Sequence, residues 1–274
     1  MPDLMSMLKF KGLKYRKMAE ELKKYYRNAI VLSVKDMRDN DIPIGASKMG
    51  GFPDLPPEIE YPNMSEYTET WLKGNNDGEV EHYEKSAMQL VVQINLYELA
   101  ESGTDLENLL PKTGMLYIFW SGEIMERESD EWSEIIAEEP DKLAIHKVIY
   151  WDGDMSTLKK IEPSCGYYSK YFNRCFSEYV VTFDSDAEYS ENSADEIDGL
   201  EEATDTDVYD FSNNDDKLFG FPRGANKPDV DENIINLFQF DYQEGCLWKV
   251  YWLINKDDLK NLDFSKVSVD FDID

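Results

Sequence analysis

Three short blocks occur twice along this chain, in the same order, and that recurrence limits the fold more than any other feature. The first stretch carries Gly50-Gly51-Phe52-Pro53, then Leu90-Val91-Val92-Gln93-Ile94-Asn95, then Gly114-Met115-Leu116-Tyr117-Ile118-Phe119-Trp120. The second carries Phe219-Gly220-Phe221-Pro222, then Leu237-Phe238-Gln239-Phe240-Asp241, then Gly245-Cys246-Leu247-Trp248-Lys249-Val250-Tyr251-Trp252. Each set reads as a Gly-Phe-Pro turn, an apolar strand with a central glutamine, a glycine turn and an aromatic strand. Three matches in one order predict an internal duplication, and two copies are too few for a solenoid. The fold class expected is α+β, mainly β: internally duplicated antiparallel β-sheet units with an N-terminal helix. The two units are expected as paired sheets related by a pseudo-twofold axis.

The remaining elements follow from local pattern. Met18, Leu22, Tyr25, Tyr26 and Ala29 recur at helical spacing, so a helix is predicted over Lys14–Ile30, with a β-branched run after it. Ile42–Pro62 is too rich in Pro and Gly for a helix and reads as a structured loop anchored by Phe52 and Leu55. Strands are predicted at Met88–Asn95, Met115–Trp120, His146–Trp151 and Tyr179–Phe183. A helical turn is predicted near Asp105–Leu110, and an acidic connection over Gly122–Asp141. The 274 residues are long enough to bury a full core. They divide into a basic N-terminal helix region (1–35), a first repeat half (42–183), an acidic insertion (184–216) and a second repeat half (217–267). All lie within a single domain, 1–274.

Charge is the compositional outlier. The chain holds 57 Asp and Glu against 28 Lys and Arg, a net charge of −29. Such a chain repels phosphate backbones, which argues against nucleic acid, and attracts basic proteins or divalent cations. The balance reverses at the start. Lys9, Lys11, Lys14, Arg16, Lys17, Lys23, Lys24, Arg27 and Lys35 face only Asp3, Glu20 and Glu21 in the first 35 residues. This basic segment is expected to dock on an acidic face of its own domain or to touch an anionic surface. Residues 184–216 contain fourteen Asp or Glu and no Lys or Arg, and read as a solvated, mobile insertion with at most one marginal helix near Ser193–Ala203. Asp184-x-Asp186-x-Glu188 imitates the start of a calcium loop. However, Tyr189 stands where the loop needs glycine, and Asp195 where it needs glutamate.

Little points to catalysis. Cys165, Cys175 and Cys246 form no C-x-x-C pair, and with His82 and His146 they show no metal-site spacing. Free thiols, no apolar run of bilayer length and no signal peptide lead to the expectation of a cytoplasmic protein without a membrane span. No nucleophile motif or phosphate loop is present, so no catalytic residue, cofactor or metal is assigned.

Ser47-Lys48-Met49-Gly50-Gly51-Phe52-Pro53-Asp54-Leu55-Pro56 resembles the hallmark of the YwqG-like family. So do Gln93-Ile94-Asn95-Leu96, Leu110–Tyr117, Leu218-Phe219-Gly220-Phe221-Pro222, and the ending Asn255–Leu259 with Phe264–Val267. The likeness runs from the N-terminal helix to about Val267. Ala225-Asn226 stands where many members carry a glutamine, and the acidic insertion is the main departure. The resemblance implies a β-rich fold and supplies no activity or catalytic residues.

The residues placed for recognition are Gln93 and Gln239, at matching positions, with Lys48, Asp54, Asn95, Arg223 and Asp241 beside the repeated blocks. The glutamines have two readings: each bonds the backbone of its facing Gly-Phe-Pro loop, or both line a symmetric cleft and bind a polar ligand. The function expected is an acidic protein-interaction or immunity-like module that captures a basic partner. The alternative is a small-ligand or metal-binding protein using the cleft between the repeats.

Overall fold

The structure is a computed structural model and describes residues 4–36, 42–63, 87–121, 146–163, 177–190, 193, 196–204, 216–244 and 247–273. Its strands are β1 (Tyr26–Asp36), β2 (Lys48–Met49), β3 (Asp54–Leu55), β4 (Gln89–Asn95), β5 (Met115–Trp120) and β6 (His146–Trp151). There follow β7 (Lys159–Lys160), β8 (Tyr179–Tyr189), β9 (Lys217–Phe219), β10 (Ile234–Glu244), β11 (Leu247–Asn255) and β12 (Ser268–Ile273). Ten of these form one antiparallel sheet in the order β12-β11-β10-β9-β1-β8-β2-β4-β5-β6, while β3 and β7 pair separately.

At the centre β1 and β8 pair along their whole length, from Tyr26 opposite Tyr189 to Asp36 opposite Tyr179. Strands β2, β4, β5 and β6 extend from the β8 side, and β9, β10, β11 and β12 from the β1 side. The expected two sheets are therefore two four-strand wings of one sheet, joined by a strand pair that belongs to neither block of repeats. The wings fold toward each other. Trp120 on β5 meets Trp252 on β11 edge-on, with ring centroids 6.1 Å apart, and lies 5.2 Å from Phe271 on β12. Tyr150 on β6 likewise lies 6.1 Å from Phe264. Side chains of both wings thus make one core.

The N-terminal segment departs from its predicted boundaries. Helices α1 (Leu4–Phe10) and α2 (Leu13–Leu22) are followed by a 3₁₀ turn at Lys23–Tyr25, and Tyr26 already opens β1. Tyr26, Ala29 and Ile30 carry a helical spacing, but pairing with β8 satisfies their backbone and buries Ala29 and Ile30 in the sheet. Past Ile94, Asn95 caps α3 (Leu96–Ser102) by accepting from the backbone N–H of Tyr97 and Glu98, and Gly103 closes it at φ 68°. Asp105–Leu110 forms turns rather than a helix; the Asp105 carboxylate accepts from the N–H groups of Leu109 and Leu110.

The acidic insertion is built differently from its composition. Asp184–Tyr189 continues β8, and α4 (Leu200–Thr204) follows. Ile197, Leu200 and Ala203 pack with Leu8, Ala19, Leu22 and Tyr189 in a second apolar cluster. Lys11 Nζ donates to the Ala203 carbonyl at 2.5 Å. Among the described residues the basic segment thus meets the acidic insertion through an apolar seam, with a lysine-to-carbonyl bond at Lys11. Residues 205–215 and the connection 122–145 lie outside the described residues.

This cluster is separate from the main core. Leu8→Asp, which buries a charge in it, is expected to free α1, α2 and α4 while the sheet stays folded. Hydrogen exchange would show protection lost in residues 4–25 and 196–204 and kept in β4 and β5. Equal loss in both would mean that the helical layer and the sheet unfold together.

Candidate functional site: two buried lysine clusters

The polar residues of the repeated blocks converge into two clusters, one in each wing. In the first, Lys48 on β2 stands opposite Gln93 on β4, and Gln93 opposite Tyr117 on β5. Gly50 and Gly51, at φ 69° and 67°, turn the chain after β2 through a conformation that side chains other than glycine rarely adopt. The turn brings Asp54 back against Gln93. Gln93 Oε1 accepts the Asp54 N–H at 2.8 Å, and Gln93 Nε2 donates to the Ala46 carbonyl and to Asp54 Oδ2. Tyr117 Oη donates to the Asp54 carbonyl at 2.7 Å. Asp54 Oδ2 also accepts the Gly45 N–H at 2.9 Å, and Oδ1 faces Lys48 Nζ at 3.3 Å.

The second cluster repeats this arrangement. Lys217 on β9 stands opposite Gln239 on β10, and Gln239 opposite Tyr251 on β11. Phe219 and Gly220 take up φ 63° and 68°. Gln239 Oε1 accepts the Arg223 N–H at 2.9 Å, and Tyr251 Oη donates to the Arg223 carbonyl at 2.9 Å. The register breaks at Val91 and at Leu237, each two residues before its glutamine. The residue before each lysine takes part too. The N–H of Asn95 donates to Ser47 Oγ, and that of Asp241 to Asp216 Oδ1. The Ser47 carbonyl accepts from Val181 of β8, and the Asp216 carbonyl from Leu32 of β1.

Each lysine has a glutamate. Lys48 Nζ lies 3.5 Å from Glu178 Oε1, and Lys160 Nζ donates to Glu178 Oε2 at 2.9 Å. Lys217 Nζ donates to Glu188 Oε1 at 2.5 Å, and Glu188 Oε2 accepts the Phe221 N–H at 2.7 Å. Glu178 accepts the equivalent Phe52 N–H. Burial lowers the pKa of Lys48 despite Asp54 and Glu178, and brings that of Lys217 to about 8 despite Glu188. Burial pushes Glu178 upward, but Lys160, Lys48 and the Phe52 N–H more than offset it, and its pKa is lowered. Burial, reinforced by the Asp54 charge, raises Tyr117.

Lys48, Asp54, Gln93 and Asn95 therefore meet in one wing, and Arg223, Gln239 and Asp241 in the other. Asn95 Nδ2 donates to the Gly45 carbonyl while its Oδ1 caps α3. Arg223 is buried, with Nη2 donating to the Tyr189 carbonyl at 2.6 Å. Asp241 accepts from Lys249 Nζ at 2.9 Å. Among the described residues the clusters stand apart in the sheet: β8 and β1 lie between β2 and β9, a separation of roughly 14 Å. Each glutamine bonds the backbone of its own Gly-Phe-Pro loop. Among the described residues no three His, Cys, Asp or Glu side chains are grouped to hold a metal ion. All three cysteines and His82 lie outside the described residues.

Sequence reasoning missed Lys217, Tyr117, Tyr251, Glu178 and Glu188. The lysines were legible, since Lys48 and Lys217 each stand three residues before the glycine of Gly-Phe-Pro. Aligning the third blocks on their glycines sets Tyr117 against Trp248, whereas the glutamines set it against Tyr251. Nothing in the sequence marks Glu178 or Glu188 among so many carboxylates.

No curated protein matches this chain. A family model described as a domain of unknown function, DUF1963, matches residues 47–272, a span that holds the lysine, glutamine, tyrosine and glutamate of each cluster and leaves out α1, α2 and β1. On that match the chain belongs to the DUF1963 family.

Proposed function

We propose that this protein works by binding, as an acidic cytoplasmic interaction module of immunity or antitoxin type that captures a basic protein partner. The observation that carries the reading is where its charge lies. Four bases (Lys48, Lys217, Arg223 and Lys249) and four acids (Asp54, Glu188, Asp216 and Asp272) are buried among the described residues. These cancel, so the surplus of 29 negative charges falls on the surface or outside the described residues. A field of that size speeds the approach of a basic protein and repels acidic ones and nucleic acid. The matched clusters serve as the frame that holds this surface. We take the wings to descend from a duplication and the chain to be a YwqG-like member of its family, a reading supported by the repeated blocks and their matching bonds. Among the described residues no helix is long and apolar enough to cross a membrane.

The test is affinity capture with the purified chain at low salt and at about 1 M salt, where the screening length falls to about 3 Å. A basic protein held at low salt and released at high salt is the expected result. Its on-rate should fall steeply with ionic strength. Partners that are acidic, or binding indifferent to salt, would overturn the reading.

A further inference from the structure

Both clusters bring a glutamate to a lysine ammonium and to the N–H of the phenylalanine in Gly-Phe-Pro, and they differ in where that glutamate comes from. Lys48 pairs with Val180 and Met49 with Tyr179, so Glu178 follows at the end of the neighbouring strand, level with Gly50. In the other wing Lys217 pairs with Val31 and Phe219 with Ala29. Ala29 thus holds the place of Glu178. It brings no carboxylate, and Glu188 fills the position from β8, one strand further away. A side chain at Gly51 would run into Glu178, and one at Gly220 into Glu188 and Ala29. Two non-equivalent chain positions deliver a carboxylate to the same two donors, a lysine ammonium and the N–H of the phenylalanine in Gly-Phe-Pro. The constant feature is the receptor, not its occupant.

We infer that the lysine and the Gly-Phe-Pro turn form a carboxylate-binding cradle, and that in the first wing Glu178 is an exchangeable occupant whose place a small carboxylate anion takes. Three observations single out this wing. The Glu178 side chain is 25% exposed, and the Glu188 side chain 0%. Its contact with Lys48 is 3.5 Å, against 2.5 Å for Lys217 and Glu188. Lys160, 35% exposed, adds a third donor on the open side. When Glu178 leaves, Lys48 keeps Asp54 at 3.3 Å, so its buried charge is not abandoned. In the intact chain a ligand competes with Glu178, and its apparent affinity is reduced by the fraction of cradles that Glu178 occupies.

The test vacates the cradle with Glu178→Ala and follows thermal unfolding in sodium acetate and in sodium chloride of equal ionic strength. Acetate should raise the melting temperature of the variant by roughly 3–5 °C more than chloride, saturably, and the wild-type chain by much less. Lys48→Met combined with Glu178→Ala should abolish the difference. Glu178→Gln, whose amide fills the cradle, should show none. If Glu178→Ala fails to fold in chloride, recovery of folded protein in acetate is the expected result, and no recovery overturns the inference. Equal responses to both salts in Glu178→Ala, or an acetate response that survives the loss of Lys48, would also overturn it.

Discussion

Lys217→Met should lower stability by roughly 3–5 kcal/mol, read as a fall in the urea midpoint with an unchanged slope. The lysine and its partner Glu188 are both fully buried, with Nζ and Oε1 2.5 Å apart. Methionine fills the volume but leaves the Glu188 carboxylate with the Phe221 N–H and without its ammonium. Attraction within a buried pair does little more than offset the desolvation of both ions, so the cost falls on whichever charge is stranded. The double variant Lys217→Met, Glu188→Gln strands none, because the amide oxygen still accepts the Phe221 N–H. It should recover most of the loss. A double variant as unstable as the single one would show that packing, not the stranded charge, sets the cost.

The same pair predicts a pH dependence. The folded pKa of Lys217 is about 8, below its ordinary value of 10.5. Between these values the unfolded chain binds the proton and the folded chain releases it. Stability contributed by this group therefore rises as pH climbs from about 8 to 10.5, and is absent below that window. Lys217→Met should lack the rise.

Which parts of this architecture the sequence displays depends on the range of the interaction. The strands of the repeated blocks are visible because alternation, β-branching and aromatic content are local, and β4, β5 and β6 fall within a residue of their predicted limits. The boundary at Tyr26 is invisible because Met18, Leu22, Tyr25, Tyr26 and Ala29 hold a helical rhythm, and only pairing with strands far later in the chain, β8 for both and β9 for Ala29, turns the last two into strand. The insertion misleads for the opposite reason. Its fourteen acids dominate the composition, yet Tyr189, Ile197, Leu200 and Ala203 find an apolar surface on α1 and α2. The glutamines were legible as buried amides of matched strands. Their glutamate neighbours were not, since Glu178 and Glu188 are placed by the β8 register and by nothing near them in sequence.

Trp120→Ala should be the most damaging single truncation in the core, at roughly 3–5 kcal/mol. Trp120 belongs to the first wing, but it touches Trp252 and Phe271 of the second, which lie toward the far end of the strand order. Its removal opens a cavity at the seam where the wings close on each other, and the sheet cannot collapse there without moving four strands on each side. The substitution should therefore also loosen cooperativity, seen as a shallower urea slope or as aromatic and far-ultraviolet signals that no longer change together. Trp120→Phe separates the two effects. Among the described residues the Trp120 Nε1–H is buried with no hydrogen-bond partner, and so is that of Trp252. Phenylalanine removes one such orphan donor while keeping a ring in the seam, so relief of that cost offsets part of the lost area. A loss of only about 1–2 kcal/mol with an unchanged slope is expected for Trp120→Phe. If Trp120→Phe were as damaging as Trp120→Ala, the Nε1–H would have a partner that matters. If Trp120→Ala left the slope intact, Trp120 would not be what couples the two wings.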